Sequence, residues 1–88
     1  MKMKPIYEQR KLTAKFQCTK ASKDRVVFEP IQRQYVWPGE SAKTDLMDIT
    51  INLNDEIRKN LGDPKVGDVK DFTLEVTVMM GYEMQMDS

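Results

Sequence analysis

The chain has 88 residues, with 14 basic, 14 acidic and no histidine residues, and a formal net charge of zero. Without histidine there is no imidazole base or metal ligand and no Ser/His or Cys/His nucleophile pair. The single cysteine, Cys18, adds neither an internal disulfide nor an ordinary zinc site. No charged-and-apolar signal segment opens the chain and no apolar run approaches the ~20 residues that span a bilayer, so one domain of the reducing cytoplasm is expected.

Leu, Ile, Val and Phe account for 20 of the 88 residues, above the roughly 20% below which disorder is common. A folded domain with a modest core follows. Residues 1–9 (MKMKPIYEQ) show no regular apolar period and include Pro5, which reads as a flexible arm. The run KLTAKFQCT then alternates: Leu12, Ala14, Phe16 and Cys18 point one way, and Lys11, Thr13, Lys15, Gln17 and Thr19 the other. A period of two with one apolar face marks a half-buried antiparallel strand.

A polar turn, Lys20–Asp24, leads to RVVFEPI, where Val26 and Phe28 share a face. A hairpin of Leu12–Thr19 with Arg25–Glu29 is the simplest pairing, and Pro30, lacking an N–H, limits it. Tyr35, Val36 and Trp37 suit a short strand before the Pro38-Gly39 turn, and Glu40–Asp45 reads as loop. Alternation resumes with Ile49, Ile51 and Leu53. A short helix follows: Asn54 suits the N-cap, Asp55 and Glu56 the first turn, Lys59 the last, and Gly62 the C′ position. Its stripe is Ile57 and Leu61, so it depends on packing against the sheet. DFTLEVTVM gives the longest strand, with Phe72, Leu74, Val76 and Val78 on one face. Gly81 interrupts it, and 81–88 reads as a flexible Met-rich tail with Tyr82, Met84 and Met86 at alternate positions.

The expected fold is mainly β (β-rich α+β): one domain over residues 10–80, built as a small curled antiparallel sheet or open barrel of four or five strands, with a short helix before the last strand.

Charge is unevenly spread. Residues 1–25 carry eight basic against two acidic side chains, +6, and the rest six against twelve, −6. Either the basic end meets an anionic partner or the basic strand lies beside acidic ones and the charges cancel in space. Lys11 and Lys15 on the polar face of the first strand, with Arg33, Tyr35 and Trp37 in the irregular segment, form the candidate binding set. Cations with aromatic platforms are what single-stranded nucleic-acid binders use. The aromatic loop, the methionines of the C-terminal end and the sheet edges equally suit a protein partner or a second copy of the chain.

Catalysis is not expected. The acidic residues that fall close together, Asp45 with Asp48, Asp63 with Asp68 and Asp55 with Glu56, sit where turns and a helix start already use acids. The four glycines lack any phosphate-cradling spacing. Neither a cofactor nor a metal is expected, and Cys18 falls on the inward face as a buried thiol.

Three segments, AKFQCT (Ala14–Thr19), VVFEP (Val26–Pro30) and VGDVKDFTLEV (Val66–Val76), resemble a group of small bacteriophage and prophage proteins. In that group an AKF-x-CT strand precedes a strand ending in Pro, and a glycine turn leads into a closing VDFT-type strand. The segment from Gln32 to Asp45 and the helix NDEIRKNL depart from the group. The resemblance implies a phage origin, a small β-rich fold and an accessory role, binding a host or phage protein that includes components of host defence. It brings no catalytic residues. The expected function is therefore protein binding without catalysis, with single-stranded DNA or RNA binding through Lys11, Lys15, Arg33, Tyr35 and Trp37 as the alternative.

Overall fold

The computed structural model describes residues 2–85. Six strands and one helix follow in the order β1 (Lys2–Ala21), β2 (Arg25–Pro30), β3 (Gln34–Val36), β4 (Lys43–Asp45), β5 (Ile49–Asn52), α1 (Asp55–Leu61) and β6 (Val69–Gln85). The fold is mainly β, as expected. Its main sheet is antiparallel in the order β5-β2-β1-β6, and β3 and β4 form a separate two-stranded sheet. The sheet stays open: β5 and β6 are its two edges, so the barrel alternative is not realised.

Alternation decides which face is buried. Leu12, Phe16 and Cys18 of β1, Val26 and Phe28 of β2 and Val78 of β6 are buried on one side. The small β3–β4 sheet covers them with Trp37 and Leu46, and Phe72, Leu74, Ile49 and Ile51 pack around the cluster. Phe72 stands edge-on to both Phe16 and Phe28, with ring centroids 5.3 and 5.0 Å away. Such pairs add about 1 kcal/mol beyond the area they bury. The opposite face of the sheet, from Lys11 and Thr13 across to Thr73 and Glu75, is exposed.

The β1–β2 hairpin forms as its alternation implies, and pairing stops where Pro30 meets Phe16. The helix has the expected Asn54 cap, whose side chain accepts from the Ile57 N–H, and ends at Gly62 with φ 79°. Three expectations give way. Lys43–Asp45, read as loop, is β4, because the Pro38-Gly39 turn folds it back onto Gln34–Val36. Residues 2–9, read as an arm, are the first half of β1, and residues 81–85 of the tail continue β6. These two segments lacked an inward apolar period because they form a strand by pairing with each other, Lys2 opposite Gln85, and not by burying a face. Met86–Ser88 lie outside the described residues.

That pairing makes the molecule long. Its extents are 59 × 26 × 17 Å and its radius of gyration 17.8 Å, against about 12 Å for a compact chain of this length. Beyond Glu8 and the buried Val78, strands 2–7 and 79–85 run clear of the core as a two-stranded ribbon about 20 Å long.

Candidate functional site

The ribbon owes the chemistry of its faces to one irregularity. Opposite residues of an antiparallel pair share a face, so the partners Leu12–Leu74, Arg10–Val76 and Glu8–Val78 continue the core side. Between Ile6 and Tyr7 the register shifts: Tyr7 faces Met79, Ile6 faces Gly81, and Met80 is the extra residue of a bulge. An inserted residue sends every side chain beyond it to the other face. Tyr82 and Met84, in phase with the core in the sequence, are thereby turned outward opposite Pro5 and Met3. Gly81 sits at the shift with φ 150°, a backbone that side-chain-bearing residues rarely adopt.

Six side chains, Met3, Pro5, Tyr7, Met79, Tyr82 and Met84, so form one uncharged outer patch. Five of them are 49–64% exposed. Gln9 and Thr77 border the patch, followed by Lys11 opposite Glu75. The inner ribbon face instead carries Lys2, Ile6 and Lys4, the last opposite Glu83. Of the twelve exposed large hydrophobic residues among the described residues, seven lie in the ribbon, which separates this patch from scattered surface apolars.

Both ribbon edges are open, but they differ. Cys18 exchanges backbone hydrogen bonds with the segment entering β6, its N–H to Asp68 O and its C=O to Gly67 N, both 2.8 Å. Alternation then points the odd residues of β1 and of β6 up to Thr77 away from their shared ladder. On β1 that outer edge includes Pro5, which has no N–H to offer, flanked by Lys4. The β6 edge, Val69–Gln85, contains no proline and pairs with no strand among the described residues.

A clasp holds the ribbon base to the small sheet. The Arg10 guanidinium donates to both Glu40 oxygens, at 2.5 and 2.9 Å, and to Glu8 at 2.9 Å. It also lies 5.0 Å from the centre of the Trp37 ring. The hydrogen bonds from Arg10 hold the Glu40 carboxyl below its ordinary range and push Arg10 above its own.

The residues singled out from the sequence do not converge. Lys11 and Lys15 are on the exposed face of β1, with Lys15 3.1 Å from Asp71 across the ladder. Arg33 is bound to Asp48 at 2.6 Å and Glu29 at 3.0 Å, which raise its pKa. Trp37 is only 7% exposed, packs edge-on against Tyr35 and donates its indole N–H to Thr44 at 2.8 Å. A buried ring offers no platform for a base. Besides that Tyr35–Trp37 contact, Lys15 and Tyr35 line one cleft of about 340 Å³ where β2 leaves β1. The charge split is resolved in space, with basic β1 beside acidic β6: Lys15–Asp71, Lys11–Glu75 and Lys4–Glu83 are opposite each other.

The neighbouring carboxylates are dispersed into structural contacts. Asp48 binds Arg33, Asp45 accepts from Gln34, and Asp68 accepts from the Lys65 N–H. Among the described residues no cluster of three or more metal-ligating side chains occurs, and no helix is long and apolar enough to cross a membrane. Cys18 is buried, as expected from its place on the inward face. No protein-family model matches the chain, and neither a curated protein nor a solved structure matches it.

The ribbon was missed because its signal is not a period of two within either segment. The clue lay in pairing the ends: Met3, Pro5 and Tyr7 against Tyr82 and Met84. That requires knowing that the first and last strands are neighbours.

Proposed function

We propose that this chain is a small phage-type accessory protein of the bacterial cytoplasm that works by binding another protein, without catalysis. The observation that carries the reading is the ribbon with its unpaired β6 edge. A long open edge is a template onto which an extended segment of a partner adds as a further strand, the backbone giving affinity and the flanking side chains selectivity. The β1 edge is blunted by Pro5 and lysines while the β6 edge is not, which favours a partner entering on the β6 side. The burial of Trp37 and the engagement of Arg33 by Asp48 and Glu29 weigh against the nucleic-acid alternative.

The test uses Thr77→Pro, which removes an N–H that points away from β1 and leaves the β1–β6 ladder intact. The immobilised chain and this variant are exposed to bacterial lysate and the retained proteins identified. A protein retained by the chain and lost from the folded variant supports the reading. Identical retention by both refutes edge addition. Saturable binding of single-stranded oligonucleotides that weakens steeply as salt rises, and is lost in Lys15→Glu, replaces it with the alternative.

A further inference from the structure

We infer that the outer ribbon patch is the contact between two copies of this chain, which associate through Met3, Pro5, Tyr7, Met79, Tyr82 and Met84. The inference rests on the ribbon as the binding element proposed above and assigns its apolar face, leaving the β6 edge to a further partner.

Four observations combine. First, a two-stranded ribbon is marginal in water unless a further strand or packed surface supports it. The described ribbon extends beyond the core with nothing on its outer face. Second, the β6 bulge gathers its apolar side chains on that face, although leaving the register unshifted would have placed Tyr82 and Met84 with Lys2 and Lys4. Third, the patch contains no charged group, so nothing on it selects an acidic or basic partner. The matching surface is another uncharged strip of the same length, which a second copy supplies about a twofold axis.

Fourth, the area fits. The exposed parts of the patch present on the order of 600 Å², at the upper end of what monomers leave uncovered. Two such patches bury about 1,200 Å², the lower end of specific interfaces. Tyr and Met are enriched in the buried centres of interfaces, and the bordering Gln9 and Thr77 supply a polar rim.

Analytical ultracentrifugation of the full chain, from low to high micromolar concentration, reads the association directly. The expected result is a monomer–dimer equilibrium that is insensitive to salt, because the patch is uncharged. Tyr7→Lys or Tyr82→Lys places like charges across the twofold axis, and each raises the dissociation constant by about 30-fold or more. Lys4→Ala on the inner face leaves it unchanged. Hydrogen exchange at the amides of residues 3–9 and 77–84 slows as concentration rises, a readout that needs no variant. A chain that stays monomeric throughout overturns the inference. So does a dimer that survives both tyrosine substitutions and is lost in Thr77→Pro, since it would be built on the β6 edge. A monomer whose lysate partner is lost in Tyr82→Lys but kept in Thr77→Pro assigns the patch to that other protein, overturning the dimer while protein binding stands.

Discussion

The two halves of β1 are one continuous strand held by different physics. From Leu12 to Cys18 every second side chain is apolar and faces the core, and at Phe16 and Gln17 the strand has neighbours on both sides, β6 and β2. From Lys2 to Gln9 it has only β6, and of its apolar residues Met3, Pro5 and Tyr7 are in the opposite phase on the opposite face, with Ile6 alone left on the core side. The inner half is a strand because burial fixes it. The outer half is a strand because a partner strand is there to pair with. An amphipathic period shows where a strand buries itself, and its reversal marks where the buried face changes sides.

The largest expected effect lies in the inner half. Phe16 is fully buried in the core, edge-on to Phe72, and Phe16→Ala removes about 3–5 kcal/mol of stability in urea denaturation, a large part of what a domain this size has. A loss below 1 kcal/mol would mean that the two halves do not differ as described.

Next comes the bulge. Gly81→Val forces a branched side chain into φ 150° and costs roughly 1–3 kcal/mol locally. Because the ribbon opens separately from the core, hydrogen exchange in residues 2–7 and 79–85 accelerates while the amides of residues 12–18 keep their protection. Uniform acceleration would show that ribbon and core open as a single cooperative unit.

The clasp gives a smaller, pH-dependent effect. Arg10 lowers the Glu40 pKa in the folded chain, so its contribution is full above the unfolded carboxylate value, near ~4.3. It is lost as pH falls through the lowered folded value. Arg10→Ala returns Glu40 toward its ordinary range, which side-chain carboxyl NMR titration reads directly. An unmoved Glu40 would show that another group sets it.

The smallest effect belongs to the outer half. Tyr7→Ala at concentrations low enough to keep the chain monomeric changes stability by less than about 0.5 kcal/mol, as for an exposed side chain with few contacts. Lys15→Ala, which removes an exposed ion pair with Asp71, is expected in the same range.

Much of this was legible beforehand where burial and local chemistry speak. The alternation of Leu12–Cys18 and Phe72–Val78, the stop at Pro30, and the Asn54 and Gly62 ends of the helix are local rules that the tertiary structure obeys. The candidate site was legible only in part. Lys11 and Lys15 are exposed as expected, but Trp37, a candidate platform by its sequence context, is part of the core. An aromatic beside a Pro-Gly turn carries no local mark of which side it packs on. The small β3–β4 sheet decides that by folding over the main one.

By itself the sequence determined a small, mainly β domain without histidine or disulfide chemistry, with a known inward face on three of its strands and a short capped helix. Period and capping are properties of neighbouring residues, so they can be read without knowing the fold. Only the tertiary structure decided that the first and last strands lie side by side, with the chain's basic end against its acidic end, because that neighbourhood joins residues more than 80 positions apart. It also decided where Tyr82 and Met84 point. Their spacing from Val78 puts them in phase with the core, and one extra residue at Met80, visible only against the partner strand, turns them outward.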